Sequence, residues 1–285
     1  MKRKSAIVRL AFTVLSLFVL ASASLAAPNP LHFPWGLALD AKGNLYVANT
    51  NGNNILVFSP GYALQSADTI TQGVSYPTGV AVDPLGNLWV ANSGGVNGSI
   101  TEYSGGVQNT SATITNGIQG PVAIAIDGLD NILVVNDDSY ISIYAPTAVF
   151  QAPATLISTT SPSNPVYSVA VGQGTLSWGS NGTTFFRSET SYLLNNGTSV
   201  NGMPGTALAL TSDALGNVYA ANNDMTVSVN SPQDGGIYYP DLLNLSFQPY
   251  GIAVDNARGR IYLSDPFGNA IWVYSTAGKF LKTIK

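Results

Sequence analysis

One motif returns six times along the chain at a nearly constant interval, and no other feature restricts the possible folds as tightly. Phe33 to Asn49 reads FPWGLALDAKGNLYVAN, and Tyr76 to Asn92 reads YPTGVAVDPLGNLWVAN. Gly120 to Asn136 gives GPVAIAIDGLDNILVVN, and Pro249 to Asp265 gives PYGIAVDNARGRIYLSD. A fifth copy, SDALGNVYAANN from Ser212 to Asn223, lacks the lead-in, and a degenerate one runs from Asn164 to Asn181. Anchored on the turn residue (Gly43, Gly86, Asp130, Gly174, Gly216, Gly259), the steps are 43, 44, 44, 42 and 43 residues. A unit of that size cannot bury its own apolar face, so it must stack on its neighbours. The stretch from Pro28 to Lys285 accommodates six such periods and leaves no room for a second domain.

Each period reads as four short strands. Gly79-Val-Ala-Val-Asp83 alternates small and β-branched residues, which suits an inner strand packed on both faces. Asp-x-x-Gly-Asn follows as a tight turn, in which Asp bonds back to the backbone and Gly accepts positive φ. Asp130 replaces that glycine once, by a type that tolerates the left-handed region. A second strand, an Asn-rich turn and a third strand come next, and then a fourth strand ending like Thr69-Ile70-Thr71. The expected fold is all-β, a six-bladed β-propeller of four-stranded antiparallel blades. The last repeat carries its own fourth strand, so each blade is expected to be continuous in sequence. The fourth repeat, with Val171 and Thr175 in place of the turn Asp and Asn, is expected to be the weakest blade.

The first residues have a different character. Lys2, Arg3, Lys4 and Arg9 precede an apolar run from Leu10 to Leu20 and small residues from Ala21 to Ala27. That order reads as a secretory signal peptide over residues 1–26, cleaved after Ala23 or Ala26. The apolar run is shorter than the ~20 residues that span a bilayer. With no Cys for lipid attachment, a secreted or periplasmic protein with no membrane span is expected. Cleavage would remove four of 11 basic residues and none of 15 acidic ones, and no Lys or Arg lies between Lys42 and Arg187. Such a surface cannot replace the counterions on phosphate, which excludes nucleic acid as a partner.

The pattern P-x-G-[LIV]-A-[LIV]-D-x-x-G-N-[LI]-[YW]-V-A-[ND] resembles the NHL repeat. The resemblance covers residues 28–285 and implies the propeller fold, on which binding scaffolds, sensors and a few enzymes are built. Propellers similar to streptogramin lyase depend on His and Glu. Here His32 is the one His, and Glu102 and Glu189 are the only Glu residues. Propellers similar to gluconolactonase hold a divalent cation in the channel with Glu, Asn and Asp, a site that does not carry over residue by residue. An oxygen-ligand cation site is conceivable only at Asp137-Asp138 or Asn222-Asn223-Asp224. No catalytic residue, metal or cofactor is therefore expected.

Asn49, Asn92, Asn136, Ser180, Asn222 and Asp265 stand six residues after the turn position, and all lie on the face where the linkers between repeats open. The linkers bring Trp35, Tyr76, Tyr167 and Tyr250 to the same face. Amides beside aromatic rings suit a neutral ligand such as a glycan or an extended peptide. Equally, an Asn repeated in every blade can cap its own turn. Tyr46, Trp89, Tyr219 and Tyr262 read as core between blades. The expectation is a non-catalytic module that recognises a protein or polysaccharide partner through the linker face. A cation-dependent lyase or hydrolase is the alternative, and a structural part of an envelope assembly is a third reading.

Overall fold

The structure, a computed structural model, describes residues 28–137, 140–145, 155–160, 166–172, 175–180, 183–188, 198–200, 206–231 and 237–285. The signal-peptide reading, the turn at Gly174 and Asp138 lie outside these residues. The first sheet holds β1 (Pro34–Leu39), β2 (Leu45–Asn49) and β3 (Asn54–Phe58); the second holds β4 (Pro77–Val82), β5 (Leu88–Asn92), β6 (Ser99–Ser104) and β7 (Val107–Ile114). The third has β8 (Pro121–Ile126), β9 (Ile132–Asn136), β10 (Ile141–Ala145) and β11 (Thr155–Thr160). Next come β12 (Val166–Gly172), β13 (Thr175–Ser180), β14 (Thr183–Ser188) and β15 (Thr198–Val200). The following sheet contains β16 (Ala207–Ser212), β17 (Val218–Asn222), β18 (Thr226–Ser231) and β19 (Ile237–Asn244). The last contains β20 (Gly251–Asp255), β21 (Arg260–Asp265), β22 (Ala270–Ser275) and β23 (Phe280–Ile284).

The result is an all-β propeller of antiparallel sheets with five four-stranded blades. The expectation of six equal blades is corrected at the first repeat, whose sheet has three strands. Pro60-Gly61 and a 3-10 turn at Ser66–Asp68 follow β3. The returning chain pairs with that strand through the isolated bridges Ile55–Ile70 and Phe58–Leu64. In the second sheet, Gly105-Gly106 instead turns the chain straight back, and the eight residues of β7 pair with β6.

Apolar clusters lie between adjacent sheets. Trp89, Tyr219 and Tyr262 are buried in them, and Tyr46 packs against one while partly exposed, as their spacing predicts. The innermost strands approach closely because their lead-ins carry small residues. A Cβ on Gly251 would collide with the carbonyl oxygen of Trp35.

Neighbouring sheets are tied by hydroxyl-to-carbonyl hydrogen bonds from several positions of the repeat. Thr50 Oγ1 donates to the Pro77 carbonyl at 2.7 Å, Thr78 Oγ1 to Pro121 at 2.6 Å, and Ser168 Oγ to Ala207 at 3.2 Å. Ser264 Oγ joins the last sheet to the first, donating to the Trp35 carbonyl at 2.6 Å. A second tie recurs at one position. Tyr76 N–H donates to Asn53 Oδ1 at 2.8 Å, and Phe33 N–H to Asn269 Oδ1 at 2.7 Å. The last sheet therefore holds the first as the first holds the second.

Its outer strand is its own β23, and residues 28–33 form no strand. This arm instead places Leu31 in the core shared by the first and last sheets, where it is 1% exposed, and Asn29 Nδ2 donates to the Asn269 carbonyl at 2.8 Å.

Candidate functional site

A bulge builds the rim of the channel on the linker face. The inner strand and its partner keep register up to the lead-in, where β1, β4, β8, β12 and β16 all slip. Thr78, Val122, Tyr167 and Leu208 lose their cross-strand partner in this slip, as do Trp35 and Gly36 in the first sheet. A bulge re-aims the side chain it releases. Trp35, Thr78, Val122, Leu208 and Tyr250 accordingly line a small space of about 60 Å³ at the mouth.

Below the mouth, the six innermost strands enclose a channel of about 250 Å³. Its wall is Leu, Ala, Val and Ile, with Thr211 and Ser212 as its polar side chains. Among the described residues, no Asp, Glu or His lines it. Among the described residues, no group of three His, Asp or Glu side chains is spaced to hold a metal ion. At the suggested cation clusters, Asn223 Oδ1 accepts from Thr206 N–H at 3.0 Å, and Asp224 Oδ1 accepts from the Thr226 hydroxyl at 2.7 Å. Those two oxygens are engaged within the protein, whereas Asn222 Oδ1 is buried without a hydrogen-bond partner.

The amides that repeat from sheet to sheet are not at the surface. Asn49, Asn92, Asn136 and Asn222 are buried. In the first three the oxygen clasps the lead-in of its own repeat: Asn49 Oδ1 accepts from His32 N–H at 2.6 Å, Asn92 from Ser75 at 2.9 Å and Asn136 from Gln119 at 2.8 Å. Their Nδ2 atoms donate onward to Asn54 Oδ1, Thr101 Oγ1 and Ser142 Oγ. Asn222 Nδ2 donates to Thr226 and Ser228, both at 3.0 Å. Asp265, also buried, accepts from Gly268 N–H at 2.8 Å and from the indole of Trp272 at 3.2 Å. Asn49, Asn92 and Asn136 thus reach backbone seventeen residues upstream, farther than a turn cap, whereas Asp265 caps its own turn.

The aromatic residues behave differently. Trp35 and Tyr250 meet edge to face at 4.8 Å at the seam between the last and first sheets. Two rings that sequence reasoning passed over complete the group. Phe33 lies 5.8 Å from Trp35 and 5.4 Å from Phe267, and Phe267 lies 6.0 Å from Tyr250. Phe267 is 71% exposed. A signal for it was available: an aromatic at the tip of Pro266-Phe-Gly-Asn269, where the first repeat has Asn51-Gly-Asn53. Tyr76 and Tyr167 are exposed on other repeats, outside this quartet.

Backbone geometry sets these positions apart. Phe33 and Tyr76 adopt φ of 57° and 50°, and Gly120 occupies the corresponding place at 52°. Glycine takes that conformation freely, whereas a bulky side chain there costs about 1–2 kcal/mol. Two repeats keep an aromatic where the backbone favours none.

The shifted titrating groups lie between sheets, away from the mouth. Burial pushes the Tyr144 phenol up to about 12, where it donates to the Asn116 carbonyl at 2.7 Å. Burial, then the Asp213 carboxylate, pushes Tyr219 up to about 12.

Residues 31–58 match the NHL repeat family. No curated protein matches the sequence. Several solved structures share the fold. A gluconolactonase from Xanthomonas campestris is 14% identical, with a TM-score of 0.64 over 87% of each chain. Virginiamycin B lyase from Staphylococcus aureus is 11% identical, with a TM-score of 0.61 over 88% of this chain and 83% of that one. A chain of a nidogen/laminin complex is 15% identical, with a TM-score of 0.64 over 85% of this chain and 92% of its own.

Proposed function

This chain is an NHL-repeat β-propeller, and we propose that it is an exported, non-catalytic module that binds a protein or polysaccharide partner through its linker face. In this reading the three-stranded first sheet serves as a sixth blade and closes the ring. The observation that carries the reading is the aromatic pair Trp35 and Tyr250 lining the linker-face mouth, with Tyr76 and Tyr167 exposed on the lead-ins of other repeats. Rigid rings supply contact area with little entropy to lose, and they carry much of the energy of an interface. The buried amides of Asn49, Asn92 and Asn136 hold the lead-ins of their repeats.

The test is co-sedimentation of the protein, without its first 26 residues, with the insoluble cell-envelope fraction. Tyr76→Ala combined with Tyr167→Ala is expected to weaken retention while the protein stays folded. Leu85→Ala, an exposed control on the opposite turn-bearing face, is expected to leave it unchanged. Equal retention of all three proteins would overturn the assignment of the face.

Catalysis is the second reading, favoured by the fold shared with a gluconolactonase and a virginiamycin B lyase. A lyase or hydrolase here would need acid–base or cation-binding side chains at the channel, where the wall residues are aliphatic or hydroxyl-bearing. Cation-dependent turnover of a lactone by the purified protein would establish it over the binding reading.

A further inference from the structure

Resting on the linker-face reading, we infer that the quartet of Phe33, Trp35, Tyr250 and Phe267 at the seam is a platform for a neutral polysaccharide. Four rings in mutual contact form one apolar surface, and Phe267 stands 71% exposed at its edge. The C–H faces of a pyranose ring fit such a surface, and its hydroxyls need uncharged donors and acceptors alongside. The segments carrying the quartet also carry His32 and Gln248, and Asn51 N–H donates to the His32 carbonyl at 3.0 Å. His32 and Asn51 are exposed.

Charge decides between ligand classes. Asp265, the carboxylate nearest in sequence, is buried and held by Gly268 and Trp272. Three of the described cations are engaged elsewhere. Arg258 bonds Asp255 and the Lys42 carbonyl on the turn-bearing face. Arg260 donates to the Pro60 carbonyl and lies over Tyr62, and Lys282 lies over the same ring. An acidic polysaccharide or an anionic peptide would find no counter-charge at the quartet, whereas a neutral sugar chain requires none. The left-handed backbone at Phe33 adds to the case, because a ring is retained there against the conformational preference of the chain.

The experiment is affinity electrophoresis of the protein, without its first 26 residues, through gels containing mixed-linkage β-glucan, xylan or galactomannan, with polygalacturonate as the acidic probe. Retardation by at least one neutral polymer and none by polygalacturonate is expected. Phe267→Ala, at an exposed site where folding is little affected, is expected to weaken that retardation about tenfold or more, in line with loss of an aromatic anchor. Tyr250→Ala should do the same, and Leu129→Ala on the opposite face should not. Absence of retardation by every neutral polymer overturns the proposal, as does undiminished retardation of the Phe267→Ala protein. If envelope retention depends on Tyr76 and Tyr167 while no neutral polymer binds, the linker-face reading stands and the sugar platform falls. If neither the envelope nor a polymer is retained, both fall.

Discussion

At the scale of the residue, one side chain does different work depending on where the chain places it. Asn92 is buried, with its oxygen on the Ser75 amide and its nitrogen on the Thr101 hydroxyl. Removing it takes one partner from the Ser75 amide and one from the buried Thr101 hydroxyl, so Asn92→Ala is expected to lower unfolding free energy by about 1–3 kcal/mol in urea titrations. Glu102 is a second case. Burial raises its pKa, only partly opposed by the hydrogen bond from Asn109 at 2.8 Å, and the charge of Asp83 adds to the rise. The folded state thus holds this proton more tightly than the unfolded one, and stability is lost as pH rises from the unfolded pKa through the folded one. Glu102→Gln is therefore expected to raise the melting temperature at neutral pH, with the gain vanishing in acid below the unfolded pKa. An equal gain at every pH would exclude the carboxyl as its source. The repetition of the Asn residues was legible in the sequence, but their partners were not. The His32, Ser75 and Gln119 amides lie seventeen residues upstream, and only the folded path of the lead-in brings them near.

At the scale of the element, the turns show how closely local chemistry dictates structure. Asp83 Oδ1 accepts from the amides of Leu85 and Asn87, and Oδ2 accepts from Asn87 Nδ2 at 2.9 Å. Gly86 closes that turn at φ of 86°. In the third repeat Asp130 holds the position at φ of 62°, with Oδ1 buried and without a hydrogen bond. Both penalties vanish on Asp130→Gly, which is expected to stabilise the protein by about 1 kcal/mol in thermal denaturation. Turns and inner strands could be read from the sequence because each is encoded by adjacent residues. The outer strand of the first sheet could not, because pairing there depends on the path of the loop. Thr69-Ile70-Thr71 has the composition of a strand, yet the 3-10 turn before it leaves a single bridge at Ile70. The expectation of a weak fourth blade rests on a stretch that lies partly outside the described residues.

At the scale of the molecule, the repeat period announced the propeller, while the seam between its ends was hidden. Nothing in the arm before Pro34 resembles the motif, yet Leu31 sits in the same core as Tyr262, Ile271 and Ile284. Leu31→Ala is expected to cost about 2–5 kcal/mol, the range for a buried leucine, although it belongs to no strand. Calorimetry giving a loss below 1 kcal/mol would show the arm to be dispensable. The aromatic quartet was half-legible for the same reason. Trp35 and Tyr250 sit in the motif, whereas Phe33 and Phe267 gain their significance from meeting across the seam.

Closure through side chains and an arm, with no strand lent from one end to the other, makes the starting point of the chain a matter of convention. The ends converge on one core, as Leu31 and Ile284 show. A circular permutant that joins them by a short Gly-Ser linker and begins instead at Thr115, exposed between β7 and β8, would leave every sheet continuous in sequence. It is expected to fold to the same circular-dichroism spectrum, because new termini are tolerated where an exposed loop tip is cut. In a propeller closed by strand exchange, the same cut and join would leave the shared sheet to be reassembled. Here the polypeptide is a true cycle of interchangeable starts, held by identical clasps at the junctions that carry them.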